Sequence, residues 1–332
     1  MISRRRFLLS AAAAPAALVS AVGCSDPPRW QRAAYRKLER SRVAVIGAAE
    51  YDGRVGRALL DGLKLFRLPV HGKRVVLKPN LVEHDATGTI NTHPVLVAAA
   101  IDAFRTLGAR EVVVAEGPGH HRDTEHLLTA TGMHDVLRER QIRYVDLNVD
   151  DTRRVDLRSS YTTLGSLHLP ETVLGADLLV SMPKMKTHHW AGVTLSMKNF
   201  FGIVPGAVYG WPKNPLHWMG IHESIVDIGS TVPVPTFAII DGIVGMEGDG
   251  PIRGTAKRSG VILLGEDLVA TDATAARLMT IEPTKITYLR RAGDFLGNLR
   301  RDHIDQIGES PDRFRRDFSV LAPFRSLKGL HD

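Results

Sequence analysis

Short runs of Val, Ile and Leu alternate with longer helical patterns, and this alternation constrains the fold more than any other feature of the chain. Strands that alternate with helices are typical of a parallel sheet, because each parallel connection must cross back over the sheet. The sequence therefore predicts an α/β fold with a mainly parallel sheet flanked by helices, in one domain or two subdomains. The predicted strands are Val43–Ile46, Arg74–Leu77, Glu111–Ala115, Arg143–Leu147, Asp177–Met182, Thr236–Ile240 and Val261–Leu264.

Three segments have the apolar spacing of helices. Residues 94–107 begin with Pro94 and are followed by Gly108. Proline suits the first turn of a helix, where its missing N–H would have no partner, and glycine commonly follows the last turn. Residues 270–279 and 284–292 are predicted as two further helices.

The first 24 residues have the composition of an export signal. Three arginines at positions 4–6 precede Phe7, and an Ala-rich apolar stretch then covers residues 10–22. An arginine pair before Phe-Leu resembles the bacterial twin-arginine signal, which a receptor reads. The resemblance implies the twin-arginine translocase as a partner during export, and residues 25–40 are predicted as a polar tether between the signal and the folded domain.

Cys24 is the single cysteine of the 332 residues and lies at the predicted cleavage site. Its position predicts lipidation, with simple removal of the signal as the alternative, since Ala21 stands where lipoproteins usually have Leu, Val or Ile. One cysteine excludes an intrachain disulfide and cannot hold an iron–sulfur cluster. We expect a protein of the periplasm or the outer face of a membrane, touching the membrane only through its signal or lipid anchor.

The charge balance predicts no nucleic acid partner. The chain has 43 basic and 36 acidic residues. Residues 1–23 include three arginines and no acid, so removal of the signal leaves 40 basic and 36 acidic residues, an excess of only +4. The basic residues that remain are dispersed, without the concentrated patch that nucleic acids require.

Polar residues follow five of the predicted strands at the point where each strand ends. If these strands are parallel neighbours, the ends lie along one edge of the sheet, where open α/β folds bind ligands. We therefore expect cationic, imidazole and carboxylate side chains to meet in one cavity there. The endings are Lys78-Pro79-Asn80, Glu116 to His121, Lys184 to His189, Asp241-Gly242 and Gly265-Glu266-Asp267.

Lysines at these endings predict a site for a small anionic ligand. Lys78 directly follows an apolar run, so its ammonium emerges at a strand end, although a lysine that only covers apolar surface is the alternative. Residues 184–198 carry three lysines around a predicted helix start near Gly192, and helix N-termini attract anions. The predicted ligand-binding side chains are Lys78, Asn80, Lys184, Lys186, Lys198 and Asn199.

Two glycine- and proline-rich stretches, residues 202–215 and 232–254, are predicted as long functional loops. In the second, glycine spacing would let the backbone approach a ligand closely, and Glu247 and Gly250 are predicted ligand contacts. The alternative is a tight connection whose glycines serve only turns.

Histidines and carboxylates supply candidates for chemistry. His121 or His188 is predicted as the proton-transfer group, because the ordinary pKa of histidine lies near neutrality. Glu116, His120 and Asp241 are predicted as ligands of a divalent metal, and the alternative for Glu116 and Asp241 is that they orient the histidines. The sequence lacks the motifs of zinc proteases, serine hydrolases and Rossmann nucleotide sites. It therefore does not identify a cofactor.

Taken together, these motifs resemble a bacterial and archaeal family, domain of unknown function 362. The resemblance covers residues 43–308, and it implies no general biochemical assignment. It rests on Lys78-Pro79-Asn80-Leu81, Pro183-Lys184, Lys186-Thr187-His188, Thr194 to Asn199 with Gly202, and Glu247-Gly248 with Gly250-Pro251.

A fainter resemblance joins the chain to the first domain of nickel-pincer lactate racemases. It rests on Gly119-His120-His121-Arg122 with Thr124, and it implies His121 as a general acid/base. Lys198, ahead of Pro205-Gly206, is similar to the lysine that holds the pincer cofactor. The turn at residues 80–82 departs from the racemase pattern, which puts the racemases' clamp for a substrate carboxylate in doubt.

Two functions follow as hypotheses. The first is an exported enzyme of a small anionic substrate, with lysines that bind the anion and a histidine that transfers a proton. The second is a non-catalytic protein of the cell surface that binds an anionic ligand, a metal or a cofactor. The predicted organisation is a signal at residues 1–24, the tether, the α/β domain at residues 41–310 and a C-terminal extension at residues 311–332.

Overall fold

The structure is a computed structural model that describes residues 35, 37–86, 89–119 and 123–331. The predicted signal and the predicted site residues Cys24, His120 and His121 lie outside the described residues. No helix within the described part of the chain is both long and apolar enough to cross a bilayer.

Strands and helices alternate through most of the chain, as predicted. The strands are β1 (Ser41–Gly47), β2 (Arg74–Pro79), β3 (Glu111–Glu116), β4 (Tyr144–Asp146), β5 (Thr152–Asp156), β6 (Ser166–Pro170), β7 (Leu178–Met182), β8 (Lys184–His188), β9 (Gly192–Thr194), β10 (Thr236–Glu247), β11 (Thr255–Gly265) and β12 (Ile304–Gly308). The helices are α1 (Arg54–Lys64), α2 (Pro94–Thr106), α3 (Thr124–Ala130), α4 (Met133–Glu139), α5 (Glu171–Leu174), α6 (Ser196–Asn199), α7 (Gly206–Tyr209), α8 (Asn214–Trp218), α9 (Ile221–Thr231), α10 (Leu268–Leu278) and α11 (Thr287–Gly293).

One large sheet of mostly parallel strands organises the molecule, which confirms the predicted α/β class. The strand order across the sheet is β12-β1-β11-β10-β7-β2-β3-β4, with β8 paired to β10 and β9 paired to β8. Both β7 and β8 pair with β10 in parallel, one after the other, on either side of Pro183. The strands β5 and β6 form a separate antiparallel pair.

The direction of β11 corrects one prediction. β11 runs antiparallel to both of its neighbours, because a short loop joins it to β10 and a short loop permits only a hairpin. Its last residue, Gly265, therefore lies at the opposite edge of the sheet from the ends of β2, β3 and β8. Asp267 beyond it caps α10, accepting hydrogen bonds from the N–H groups of Val269 and Ala270.

The predicted helix start near Gly192 is also wrong. Residues 192–194 form β9, which pairs antiparallel with β8, and α6 begins only at Ser196. Gly192 has a φ of +79°, a conformation that suits the tight return of a hairpin. The helix α2 matches its prediction, and the His93 side chain caps it by accepting from the N–H of Val95.

Apolar side chains cover both faces of the sheet. Along β2, Val75 and Leu77 pack in the core on one face together with α1 and α2, whereas Val76 packs in the core on the other face. Helices α9, α10 and α11 contribute to that second core, which also includes Phe318 from the segment after β12. Burial on both faces explains why the parallel strands read as continuous apolar runs.

Candidate functional site

A cavity of about 270 Å³ lies at the carboxyl ends of β2, β3 and β8. The helix α6, the chain from Phe201 to His217, Thr194 and residues 251–252 supply the rest of its lining. This is the edge at which the sequence predicted a ligand site. Four lysines line it, namely Lys78, Lys186, Lys198 and Lys213.

Lys78 and Glu116 form a buried ion pair at the ends of β2 and β3. The Lys78 ammonium also donates to the Asn199 side-chain oxygen at 3.0 Å and to its neighbouring backbone carbonyl. Burial lowers the pKa of Lys78 and raises the pKa of Glu116, and their mutual attraction opposes both shifts. The Lys78 nitrogen is thus held by three acceptors.

Lys186 and Lys213 are held by backbone carbonyls instead of carboxylates. The Lys186 ammonium donates to the carbonyls of Ile90 and Pro251 at 2.9 and 3.2 Å. The Lys213 ammonium donates to the carbonyls of Gly117 and Phe201 at 2.9 and 3.2 Å. Burial and the other lysines lower the pKa of Lys186 well below its usual range.

Sequence reasoning missed Lys213. It follows no strand and lies in the proline-dense loop before α8, with a φ of +65°. The composition of residues 202–215 marked the loop as functional but gave no signal for this residue. Burial lowers the pKa of Lys213 to about 7.

Lys198 differs from the other three lysines. Its ammonium has no hydrogen-bond or ion-pair partner among the described residues, and it lies 4.3 Å from the centre of the Phe201 ring. It is partly exposed, whereas the other three are buried. Burial, followed by repulsion from Lys78, lowers the pKa of Lys198 to about 8, against the opposing attraction of Glu116.

His188 presents a neutral imidazole to the cavity. Its Nδ1 accepts from the N–H groups of Trp190 and Ala191 at 3.0 and 3.2 Å, so the remaining ring proton lies on Nε2. Burial, then repulsion from Lys198, lowers the pKa of His188 well below its usual range. This geometry makes His188 a hydrogen-bond donor rather than an acceptor of a proton at neutral pH.

Two buried polar atoms on the cavity wall have neither a hydrogen-bond nor an ion-pair partner within the described chain. They are Oδ1 of Asn80 and Oγ1 of Thr194. Both residues line the cavity and are more than nine-tenths buried. A buried polar atom without a partner is unfavourable by about 1–3 kcal/mol, so these two are available to a bound molecule.

The outer wall of the cavity is aromatic and apolar. Trp190 is 58% exposed, and its ring meets the His217 ring edge to face at 5.4 Å. The centre of the Phe201 ring lies 5.2 Å from the centre of the His217 ring. Pro251 and Ile252 complete this side of the lining. The site therefore combines a cationic interior with an apolar rim.

Gly202 permits the packing around the ion pair. A Cβ atom at this position would lie 2.4 Å from the Lys78 nitrogen and 2.6 Å from a Glu116 oxygen. The Gly202 carbonyl also accepts from the N–H of Gly117 at 3.1 Å. Any larger residue would therefore displace the pair, the backbone or both.

Lys184 and Asp241 do not line this cavity, contrary to the prediction of one shared site. They form a separate buried ion pair at 2.7 Å. The Tyr51 hydroxyl donates to the second Asp241 oxygen at 2.7 Å and accepts from Lys184 at 2.8 Å. The Tyr51 ring stacks on His93, whose backbone N–H also donates to Asp241. This cluster joins the start of α2 to β8 and β10.

Glu247 and Gly250 are placed away from the cavity as well. A carboxylate oxygen of Glu247 accepts from the N–H of Ser319 at 2.8 Å and pairs with Lys257 at 3.1 Å. Gly250 packs against the backbone of Thr187, which explains why a side chain would not fit there. Pro251 and Ile252, the two residues after Gly250, line the cavity instead.

The described carboxylates do not fit the predicted metal site. Glu116 and Asp241 lie in different clusters, and each is already paired with a lysine. Within the ranges that the structure describes, no three His, Cys, Asp or Glu side chains come together as a metal site would require. The two carboxylates are therefore committed to lysines rather than to a shared metal.

Residues 75–277 match a protein family described as Domain of unknown function (DUF362). The chain is similar to the thylakoid-associated protein sll1697 of Synechocystis sp., with 26% identity over 239 residues, which is 68% of each chain. Among solved structures it is similar to the lactate racemase apoprotein of Thermoanaerobacterium thermosaccharolyticum, with a TM-score of 0.44, 17% identity and coverage of 74% of this chain and 58% of the racemase. A protein from Thermotoga maritima gives a TM-score of 0.40 and 13% identity over 70% of this chain and 60% of its own. The chain thus spans less than two thirds of either solved structure.

Proposed function

We propose that this chain, which belongs to the DUF362 family, is an exported enzyme whose lysine-lined cavity holds a small anionic substrate. The observation that carries the proposal is the charge of the cavity. Four lysines line it, and Glu116 is the single carboxylate among its described lining residues. An anionic substrate would supply the negative charge that these ammonium groups lack.

Burial strengthens the repulsion among the four lysines. Like charges repel more strongly in a protein interior than in water, because the effective dielectric constant is lower. The lowered pKa values of Lys186, Lys198 and Lys213 express this repulsion together with the loss of hydration. A bound carboxylate or phosphate would stabilise the ammonium forms and accept their hydrogen bonds.

Two groups support an enzyme rather than a simple receptor. Lys198 has a pKa of about 8, so its amine can exchange a proton near neutral pH. His188 offers its Nε2 proton to an oxygen that gains negative charge, as a neutral imidazole can. The two side chains line the same cavity, whose apolar rim would limit the access of water.

Calorimetric titration of the purified protein with pyruvate, malonate and inorganic phosphate tests the binding half of this proposal. We expect saturable binding of at least one of these anions with a stoichiometry of one. Lys186→Met should weaken that binding by at least about tenfold, or about 1.4 kcal/mol, because it removes a buried ammonium. Lys64→Met on the exposed surface of α1 is the matched control and should bind as the wild type does.

Absence of binding for all three anions, or equal binding by Lys186→Met, would contradict the proposed site. Circular dichroism and urea unfolding of each variant would show that a loss of binding does not reflect a loss of fold.

A further inference from the structure

We propose that Lys198 is a nucleophile that forms an imine with the carbonyl carbon of its substrate, so that the substrate class is a small anionic carbonyl compound such as a 2-oxo acid. This inference rests on the proposed function and deepens it. It begins from the difference between Lys198 and the other three lysines of the cavity.

The other three lysines are engaged by the protein. Lys78 is paired with Glu116, and Lys186 and Lys213 each donate to two backbone carbonyls. These contacts fix the three nitrogens in place, and a bound carboxylate would favour their ammonium forms. A nucleophilic amine instead needs a free lone pair and room to approach a carbon atom.

Lys198 meets both requirements. It has no acceptor among the described residues, it is partly exposed, and it lines the cavity. The aromatic face of Phe201 lies beside its terminal nitrogen. A lysine that is desolvated beside apolar groups and another cation has an accessible neutral amine, and the pKa of about 8 agrees with this.

The helix α6 holds Lys198 in this position. The Asp272 carboxylate of α10 accepts from the N–H groups of Ser196 and Met197 at 2.7 and 3.0 Å, which satisfies the start of this short helix. Asn199, the next residue, joins α6 to Lys78 through a hydrogen bond in each direction. The amine is thus carried on a fixed element rather than on a loop.

The cavity also contains partners for the rest of such a substrate. The terminal nitrogens of Lys186 and Lys213 suit the carboxylate, whose charge would stabilise their ammonium forms, and the Nε2 proton of His188 suits the carbonyl oxygen. The side chains of Asn80 and Thr194 offer polar atoms without partners to the same molecule. A cavity of about 270 Å³ accommodates a molecule of a few carbon atoms.

The step is balanced without an oxidant or reductant. The neutral Lys198 nitrogen attacks the carbonyl carbon, and the carbonyl oxygen takes up a proton to give a carbinolamine. That oxygen then leaves as water after a second protonation, and the two protons lost by the nitrogen balance the two protons gained by the oxygen. The product is a C=N bond between Lys198 and the substrate.

Reductive trapping tests the inference. The purified protein is incubated with pyruvate or 2-oxoglutarate and sodium cyanoborohydride, which delivers hydride to an imine, and its intact mass is measured before and after. We expect an increase equal to the carbonyl compound less one oxygen atom, located at Lys198 by peptide mapping. The initial rate should rise with pH through about 8, as the amine loses its proton.

Lys198→Arg keeps the positive charge and should lose the adduct, whereas the surface variant Lys64→Arg should be trapped as the wild type is. Pyruvate binding without reductant, measured on the wild type, separates the two proposals. Three results would overturn the imine alone. They are pyruvate binding without an adduct at Lys198, an adduct spread over surface lysines, and a Lys198 that is already modified in protein from its native host. Absence of both binding and trapping would overturn the anionic site as well.

Discussion

At the scale of single residues, the cavity depends on which atoms hold each lysine. Lys78, Lys186 and Lys198 were predicted as anion-binding residues from their places near strand ends, and all three line the cavity. The sequence could not predict how each ammonium is held, because the acceptors include backbone carbonyls of distant loops. Lys184 was predicted to line the same cavity, and this prediction was wrong. The register of β8 against β10 shifts between Asp241 and Met246, and no local sequence pattern reveals such a shift.

Gly202 gives the first prediction at this scale. Gly202→Ala should lower the free energy of unfolding by about 1–3 kcal/mol, because the added methyl group overlaps the Lys78–Glu116 pair. Gly119→Ala is the matched control, since a Cβ there meets no atom of the described residues within 4 Å although Gly119 lines the same cavity. Equal urea midpoints for the two variants would show that the pair tolerates displacement.

Lys213 gives a prediction of pH dependence. Its pKa is about 7 in the folded protein and 10.5 ordinarily, so the unfolded state binds more protons between these values. The free energy of unfolding should therefore rise with pH in this window, by at most about 1.4 kcal/mol per pH unit from this group.

Urea unfolding of the wild type and of Lys213→Met across this pH range measures the effect. The stability of the wild type relative to the variant should increase as the pH rises, whatever constant difference the substitution introduces. The exposed Lys64→Met variant should run parallel to the wild type. A pH-independent difference between the wild type and Lys213→Met would mean that Lys213 titrates normally.

At the scale of elements, the parallel strands and long helices were predictable because their apolar periodicity is strong. The short elements were not, since four-residue helices such as α6 have too few turns to carry a periodic signal. Likewise, the sequence between Lys184 and Lys198 fits either a helix or a hairpin until the partner strand β10 is known. The reversed direction of β11 also depends on its hairpin with β10.

Asp272 tests the dependence of α6 on its neighbour. Asp272→Ala removes the acceptor for two N–H groups and the hydroxyl of Ser196, and it should lower the free energy of unfolding by about 1–3 kcal/mol. It should also weaken anion binding in the calorimetric titration, because Lys198 and Asn199 lose their fixed position. Asp272→Asn retains one acceptor oxygen and should show a smaller effect on both. An Asp272→Ala protein that binds anions like the wild type would show that α6 is ordered independently.

At the scale of the whole molecule, the predicted export signal precedes the α/β domain that the structure describes. The signal lies outside the described residues, so its support is the sequence at positions 4–24. Replacing Arg4 and Arg5 together by lysine should keep the full-length protein in the cytoplasm, because the translocase receptor reads the arginine pair. Fractionation of the native host with immunoblotting measures this. Continued export of the double variant would remove the twin-arginine assignment.

Lipidation of Cys24 is tested in the same cells. Cys24→Ala should release the protein from the membrane fraction if the cysteine carries a lipid anchor, and intact mass of the wild type should show the added acyl groups. A wild-type mass that corresponds to simple cleavage would favour the alternative of a freely soluble exported protein.

The location of a bound anion is the most direct test of the lysine-lined cavity. A crystal of the wild-type protein soaked in sodium bromide would reveal bound halide by its anomalous scattering. We expect a bromide ion inside the cavity, in contact with Lys198 and at least one of Lys186 and Lys213. Bromide confined to the outer surface, with a cation or only water between these lysines, would contradict it.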